Sequence, residues 1–467
     1  MRRTADLVVR DGTLVTPQGL LRAGVAVADG TIVAIGREES LPPATVEVSA
    51  RDCHVLPGVI DSHVHFREPG DEHKEDWESG TTAAAFGGVT TVLDMPNTRP
   101  PTATPEALAL KQERAARKAH VDYGLFGLIG EDNLAALPAL AAGGVIGFKC
   151  YMGETVGRIP APDDGVMLEA FATAAALGLR VAVHAENNGI LQHLIGRLRA
   201  AGRSDPLAHV ESRPEICAVE AVSRAVAFAA WTRARLHICH ESCADVLPVL
   251  RAAKGRGVDV TVETCPHYLL FTAEDMHRLG PVLRMNPPVR PAGHGEALWA
   301  GLRDGVIDML ATDHSPHTVE EKTRPDIWQA ISGFPGVETA VPLMLTQVIA
   351  GRLTLERYVE LTSASPARAW GLYPRKGALR VGSDADLVVV DLARRGVVRA
   401  EALHSRSKIT PFEGMPVQGL PVCTIVRGRV VVRDGELLGT AGWGRPVSPA
   451  PGARPPAAEE VSHSRHA

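Results

Sequence analysis

Residues 56–70, LPGVIDSHVHFREPG, set the reading of the whole chain. Their apolar run at 58–60 leads into DSHVHF, where His63 and His65 stand two apart. In an extended strand that spacing puts both imidazoles on one face. Seven further apolar runs follow, at 90–93, 123–129, 145–148, 180–183, 236–238, 258–262 and 307–310. Helix-like stretches separate most of them, among them 105–120, 165–177, 214–231 and 243–254. Strand–helix alternation at this period indicates βα units and a parallel sheet. Eight units predict an α/β fold, a (β/α)8 TIM-type barrel over residues 56–372, with the paired histidines at its mouth. A doubly wound open sheet would also alternate, but eight strands and no glycine-rich nucleotide turn favour the barrel.

Outside this repeat the texture changes. LVVRDGTLVTP and GVAVADGTIVAIG alternate Val and Ile around DG turns, a hairpin signature that returns near the other end in DADLVVVDL and CTIVRGRVVVRDGEL. Residues 1–55 and 373–440 are therefore expected to assemble one small β-sandwich from both termini. Residues 441–467 are rich in Pro and Ala and predict a disordered tail.

Composition narrows the function. The 467 residues are 45% hydrophobic and 22% charged, which is globular. The net charge of -5 comes without a basic stripe, so nucleic acid is not an expected partner. No run approaches the roughly 18 apolar residues of a membrane helix, and MRRTADLVV lacks the apolar core of a signal peptide. Seven scattered cysteines fit free thiols in a reducing cytoplasm.

In such a barrel the catalytic groups sit at the C-terminal ends of the strands. After His63 and His65, the fourth run ends at Lys149, the fifth at His184, the sixth at His240 and the eighth at Asp313. A single histidine at a strand end is unremarkable. Four histidines, an aspartate and a lysine over five strand ends point to a metal site for zinc or a similar divalent ion. His193, His209 and His277 follow no such pattern and are expected to face solvent. An ammonium beside cations would be repelled, so Lys149 makes sense as a ligand only if carbon dioxide has converted its amine to a carbamate.

LPGVIDSHVHFREPG, GFKCYMGET, VAVHAEN, RLHICH, VETCPHY and ATDHSPH together resemble the cyclic amidohydrolases of the amidohydrolase superfamily. The resemblance runs from the N-terminal strands to about residue 440. It implies two Zn2+ per subunit, with His63, His65 and Asp313 on one and His184 and His240 on the other. Carboxylated Lys149 and a hydroxide bridge them, and Asp313 serves as general base and then acid. It also implies a small cyclic-ureide substrate and a homodimer or homotetramer. A non-catalytic scaffold of the same fold is disfavoured because all six ligands are present.

Within the family the substrate lies among those of dihydroorotase, allantoinase and hydantoinase or dihydropyrimidinase. Arg67, Asn97, Asn286 and His317 match dihydroorotase positions that hold the substrate, His65 is counted with them as a substrate contact, and Glu154 and Thr155 match a loop over the substrate. HTVEEK, GFPGVETAVPLML (with Phe334 and Pro335) and ITPFEG add to that likeness. GVIGFKC and ETCPHY read more like allantoinases and hydantoinases, with Tyr268 and Ser315 departing from the dihydroorotase pattern. A buried arginine is expected to need a charged partner. On that ground the sequence reading prefers dihydroorotase, opening dihydroorotate to N-carbamoyl-aspartate in pyrimidine synthesis, over allantoinase.

Overall fold

A computed structural model describes residues 4–157 and 159–450. Eight parallel strands form its centre, each paired to the next in chain order: β1 Val59–Val64, β2 Val89–Asp94, β3 Asp122–Ile129, β4 Gly147–Tyr151, β5 Arg180–His184, β6 Arg235–Ile238, β7 Val260–Thr264 and β8 Met309–Leu310. All eight predicted runs are strands. Their residues are almost all buried, as expected of parallel strands covered on both faces. The expected barrel is therefore present, nearly closed.

β8 is only two residues long, and closure against β1 is made beyond it. Val64 bridges His314 in parallel, and the His65 N–H donates to the His314 carbonyl at 2.7 Å. The Asp61 carboxylate accepts from Thr312 N at 3.1 Å and Thr312 Oγ1 at 2.5 Å. Burial pushes the Asp61 carboxyl up to about 7, although the Thr312 and His63 bonds oppose it.

The predicted helices form where their caps allow. Thr104 caps Pro105–Lys118 with its side chain, and Pro105 opens that helix where no N–H is needed. Asp163 caps Asp164–Leu177, and Gly178 ends it at φ 69°. His209 departs from expectation. It sits on the short helix Pro206–Glu211 with its ring buried, and Nε2 donates to the Met285 carbonyl at 2.8 Å. His193 and His277 are exposed, as expected.

Strands from both termini make the second unit. One sheet has four strands, all N-terminal; the other has seven, pairing His54–Pro57 and Thr13–Thr16 with Leu387–Val397 and Pro416–Val426. Leu7, Val25 and Ile32 from the first pack with Val55, Leu387 and Ile425 from the second, which is the expected sandwich. His54–Pro57 runs directly into β1 through Gly58, where a Cβ would lie 2.1 Å from Thr90 Oγ1. The seven cysteines are unpaired. Among the described residues no helix is long and apolar enough to cross a membrane.

The expected disordered tail does not hold for residues 441–450. Trp443 lies under the Arg427 and Arg429 guanidiniums at 4.5 and 4.9 Å, and its Nε1 donates to the Val426 carbonyl. Arg445 and Val447 then pair with Tyr123 at the start of β3. A tryptophan with cation–π partners and a free strand edge supplies what the Pro-rich composition lacks. Residues 451–467 lie outside the described residues.

Lys376 joins the two units at the closed end of the barrel. Its Nζ meets Asp122 at 2.7 Å, Asp386 at 2.6 Å and Asp384 at 3.1 Å. Lys376→Met leaves the buried Asp386 carboxylate without a cation, while Asp122 keeps Arg427. We expect a loss of about 3–5 kcal/mol in denaturant unfolding, and a loss within experimental error would show the junction to be dispensable.

Candidate metal centre and substrate cavity

β1 delivers His63 and His65 to the open end of the barrel, and the turn after β8 brings Asp313 opposite them. His63 Nε2 lies 3.4 Å and His65 Nε2 3.1 Å from Asp313 Oδ1. One ligand atom from each of the three residues falls within 4.8 Å of the others. Asp313 (φ 49°) and His240 (φ 35°) are held in the left-handed region, which non-glycine residues rarely adopt. That strain turns both side chains into the centre.

A second pair stands beside the first. His184 Nδ1 and His240 Nε2 face each other at 3.1 Å. The outer nitrogens of three of these histidines are committed elsewhere. His63 Nδ1 donates to Glu263 Oε1 (2.5 Å), His65 Nδ1 to Asn97 Oδ1 (2.6 Å) and His184 Nε2 to Glu186 Oε2 (2.9 Å). Each such bond leaves the inner nitrogen with a free lone pair, as metal ligation requires. Burial lowers all four histidines, His63 to about 4 with help from the Lys149 charge, so they are neutral near pH 7. Burial raises the Asp313 carboxyl, and His63 and Lys149 pull against it. Neutral imidazoles with one carboxylate are a donor set for borderline divalent ions.

Lys149 is fully buried on β4. Its Nζ donates to Cys239 Sγ at 2.9 Å and sits 5.2 Å from the centre of the Tyr151 ring. Its charge acts on all four histidines and on Asp313. Cys150 and Cys239 are buried.

The four histidines and Asp313 line an open cavity. Of the substrate contacts expected from sequence, His65, Asn97, Thr155 and Asn286 line it. Arg67, His317, Phe334 and Pro335 are not among its lining residues. Arg67 instead donates to the Ser315 hydroxyl, to the Pro316 carbonyl at 3.2 Å and to His317 Nε2 at 3.1 Å. Glu68 and Asp71, its nearest acidic neighbours in sequence, pair with Lys118 and Arg99. Phe334 packs edge-on against His267 and Phe412.

Sequence reading missed Tyr151, Val156, Ser315, Ser332 and Gly333 as lining residues. It also missed Glu186 and Glu263, whose carboxylates are fully buried. Glu263 accepts from His63, from Ser62 Oγ at 2.9 Å and from the His240 N–H at 3.1 Å, with His237 Nε2 at 3.0 Å. Burial opposes its charge, yet His63 and His237 hold it well below the usual carboxylate range. The available signal was a charged residue inside the apolar run of β7.

The amidohydrolase family profile matches residues 54–431. The solved structure of the L-hydantoinase (dihydropyrimidinase) from Arthrobacter aurescens superimposes with a TM-score of 0.93 at 39% identity, covering 95% of this chain and 100% of that one. The allantoinase of Deinococcus radiodurans is 40% identical over 439 residues, 93% of this chain and 97% of the relative. The dihydroorotase of Methanosarcina mazei is 37% identical over 448 residues, 94% of this chain and 97% of the relative.

Glu263→Gln places an amide N–H against groups that already donate. Divalent-metal affinity, measured by competition with a chelator, should fall about 10–100-fold. An unchanged affinity would detach Glu263 from the centre.

Proposed function

The chain belongs to the amidohydrolase family and is a metal-dependent hydrolase of cyclic amides, acting on a ring C–N bond, and from that premise we propose that it opens a neutral cyclic ureide, with allantoin as substrate and allantoate as product. One observation carries this reading: no arginine or lysine is among the described residues that line the cavity. A substrate carboxylate there would meet Asp313 without a side-chain cation. An uncompensated buried charge costs about 3–5 kcal/mol, a factor of several hundred or more.

The argument from Arg67 to dihydroorotate does not hold. Arg67 was expected to need a substrate carboxylate because a neutral ligand would leave it unpaired. Its Nε and Nη2 already meet Pro316, Ser315 and His317, none of them a carboxylate. The allantoinase-like segments GVIGFKC and ETCPHY become the better guide.

The lining also bears on the ring substituent. Asn97, Thr155, Asn286, Ser315 and Ser332 are polar, and Val156 is the one aliphatic side chain among the lining residues. Ser332 Oγ donates to Asn286 Oδ1 at 3.1 Å, which leaves Asn286 Nδ2 for a substrate carbonyl. Such groups suit the ureido arm of allantoin, and a site built to hydrogen-bond an arm rejects analogues lacking it by orders of magnitude. A 5-substituted hydantoin shares the ring and is supported by the likeness to the L-hydantoinase structure. The polar lining weighs against an apolar arm.

For the metal we assign His63, His65 and Asp313 to one divalent ion, and His184 and His240 to a second, with zinc the natural choice for these donors. Lys149 as an ammonium would repel both. Its neutral amine can add carbon dioxide and release a proton, giving an N-carboxylate of the right sign to lie between them. When bound, the ions supply Lewis-acid activation of the attacking water and of the ring carbonyl. Asp313 takes the proton from the water and returns it to the departing ring nitrogen. His63, His65 and His184 cannot, because their outer N–H groups are committed to Glu263, Asn97 and Glu186.

Turnover on allantoin, a 5-alkylhydantoin and L-dihydroorotate, measured side by side, tests the substrate. Allantoin should lead by at least about 10²-fold in kcat/KM; preference for dihydroorotate would overturn the reading. Asp313→Asn should lower kcat by about 10²–10⁴-fold, and a rate within tenfold of the parent would remove its proton-transfer role. Lys149→Ala should lose bound metal and activity, with partial recovery in short carboxylic acids. Full activity without them would refute the carbamate.

A further inference from the structure

The segment after β4 carries Thr155 and Val156 into the cavity, and two hydrogen-bonded chains tie it to the metal-site histidines. On one side, Asn97 Nδ2 donates to the Val156 carbonyl at 3.1 Å while Asn97 Oδ1 accepts from His65 Nδ1 at 2.6 Å. On the other, Arg213 Nη2 donates to the Glu154 carbonyl at 3.3 Å, and Arg213 Nη1 donates to Glu186 Oε2. That same Glu186 oxygen accepts from His184 Nε2 at 2.9 Å. The two chains share a pattern: a loop carbonyl, an N–H donor, an oxygen acceptor, and the outer nitrogen of a histidine. They grip the carbonyls at 154 and 156, on either side of Thr155.

The surroundings make both chains stiff. Glu186 and Arg213 are buried, and although burial opposes the Glu186 charge, Arg213 and His184 hold its carboxyl down to about 2. The loop lies directly on Glu186. A Cβ at Gly153 would come within 2.7 Å of the Glu186 carbonyl and 3.2 Å of its Cβ, so only glycine allows the approach. The Arg213 carbonyl is itself held by Arg290 Nη1. Glu154 is anchored at the outer edge, its N–H on Asn188 Oδ1 at 3.1 Å.

We infer that Asn97 and the Arg213–Glu186 pair are positioning residues that couple metal occupancy to the placement of Thr155 over the substrate. Ligation fixes each histidine ring, and the ring's outer N–H fixes the acceptor that orients the donor on the loop carbonyl. Coupling of binding equilibria is reciprocal, so weakening the loop bonds also weakens the metal. The inference rests on the metal-site reading above but not on the choice of allantoin.

The test uses the full-length protein and has three readouts: chelator competition for Zn2+, hydrogen exchange of the backbone at 152–157 with and without Zn2+, and kcat and KM at saturating metal. In the parent, Zn2+ should slow loop exchange by about tenfold or more. Arg213→Lys keeps a cation beside Glu186 but loses the forked second donor, and Asn97→Ala cuts the other chain. Each should abolish most of the metal-dependent protection and weaken Zn2+ about tenfold or more. Each should also raise KM about tenfold while changing kcat less than about threefold. The inference is overturned if Zn2+ binds the parent but leaves loop exchange unchanged, or if both variants keep the parental protection. Failure to take up Zn2+ at all would overturn the metal-site reading and the coupling together. A different preferred substrate would leave all three readouts intact.

Discussion

Closure of the barrel between β1 and β8 is the constraint on which the site depends. His63 and His65 stand 250 and 248 residues before Asp313, and only the seam between first and last strands brings them together. The seam is not made by a regular pair of strands. Asp61 accepts from the backbone and hydroxyl of Thr312, the His65 N–H reaches the His314 carbonyl, and Val64 bridges His314. The same bonds that close the sheet set the register of the HxH pair against Asp313, so folding and site assembly are one event. Left-handed backbone at Arg67, His240 and Asp313 gathers around this seam, where the strands stop and the side chains must turn inward.

Around the histidines, the chain spends buried polar groups on orientation. Glu263, Asn97 and Glu186 each take an outer ring nitrogen, and Arg213 and Ser62 then satisfy the acceptors. Buried carboxylates of this kind are costly unless fully bonded. Glu263 meets that condition, while Glu186 is held through Oε2 alone by His184 and Arg213, with Oε1 unpartnered; both stay ionised near neutrality. Neutral amides and hydroxyls line the cavity, and Asn97 belongs to both sets.

Much of the fold was legible in the order of residues. Periodicity located all eight strands, because parallel strands buried on both faces must be continuous apolar runs. The six residues proposed for the metal site were legible because each is chemically out of place at the end of such a run. Glu263 was hidden inside an apolar strand, and Glu186 sits two residues beyond His184 with nothing in its own neighbourhood to mark it. Both act through partners distant in sequence, and pattern reading reports only what is local. The tail at 441–450 failed for a related reason. Pro-rich composition says that a segment cannot build its own core, but not that a neighbour can offer an edge and two arginines.

Arg67 marks the boundary between what the chain's sequence decided and what its tertiary structure decided. The sequence alone determined the barrel, the terminal sandwich and the kind of chemistry, since these follow from hydrophobic period and from residue types at strand ends. It also placed a buried arginine beside the HxH pair. Whether that arginine serves a substrate depends on where its five donors point. The tertiary structure turns Nε and Nη2 to Ser315, Pro316 and His317, residues about 250 positions away. A guanidinium held in this way by neutral partners carries less demand for a carboxylate, and no one-dimensional pattern records those bonds.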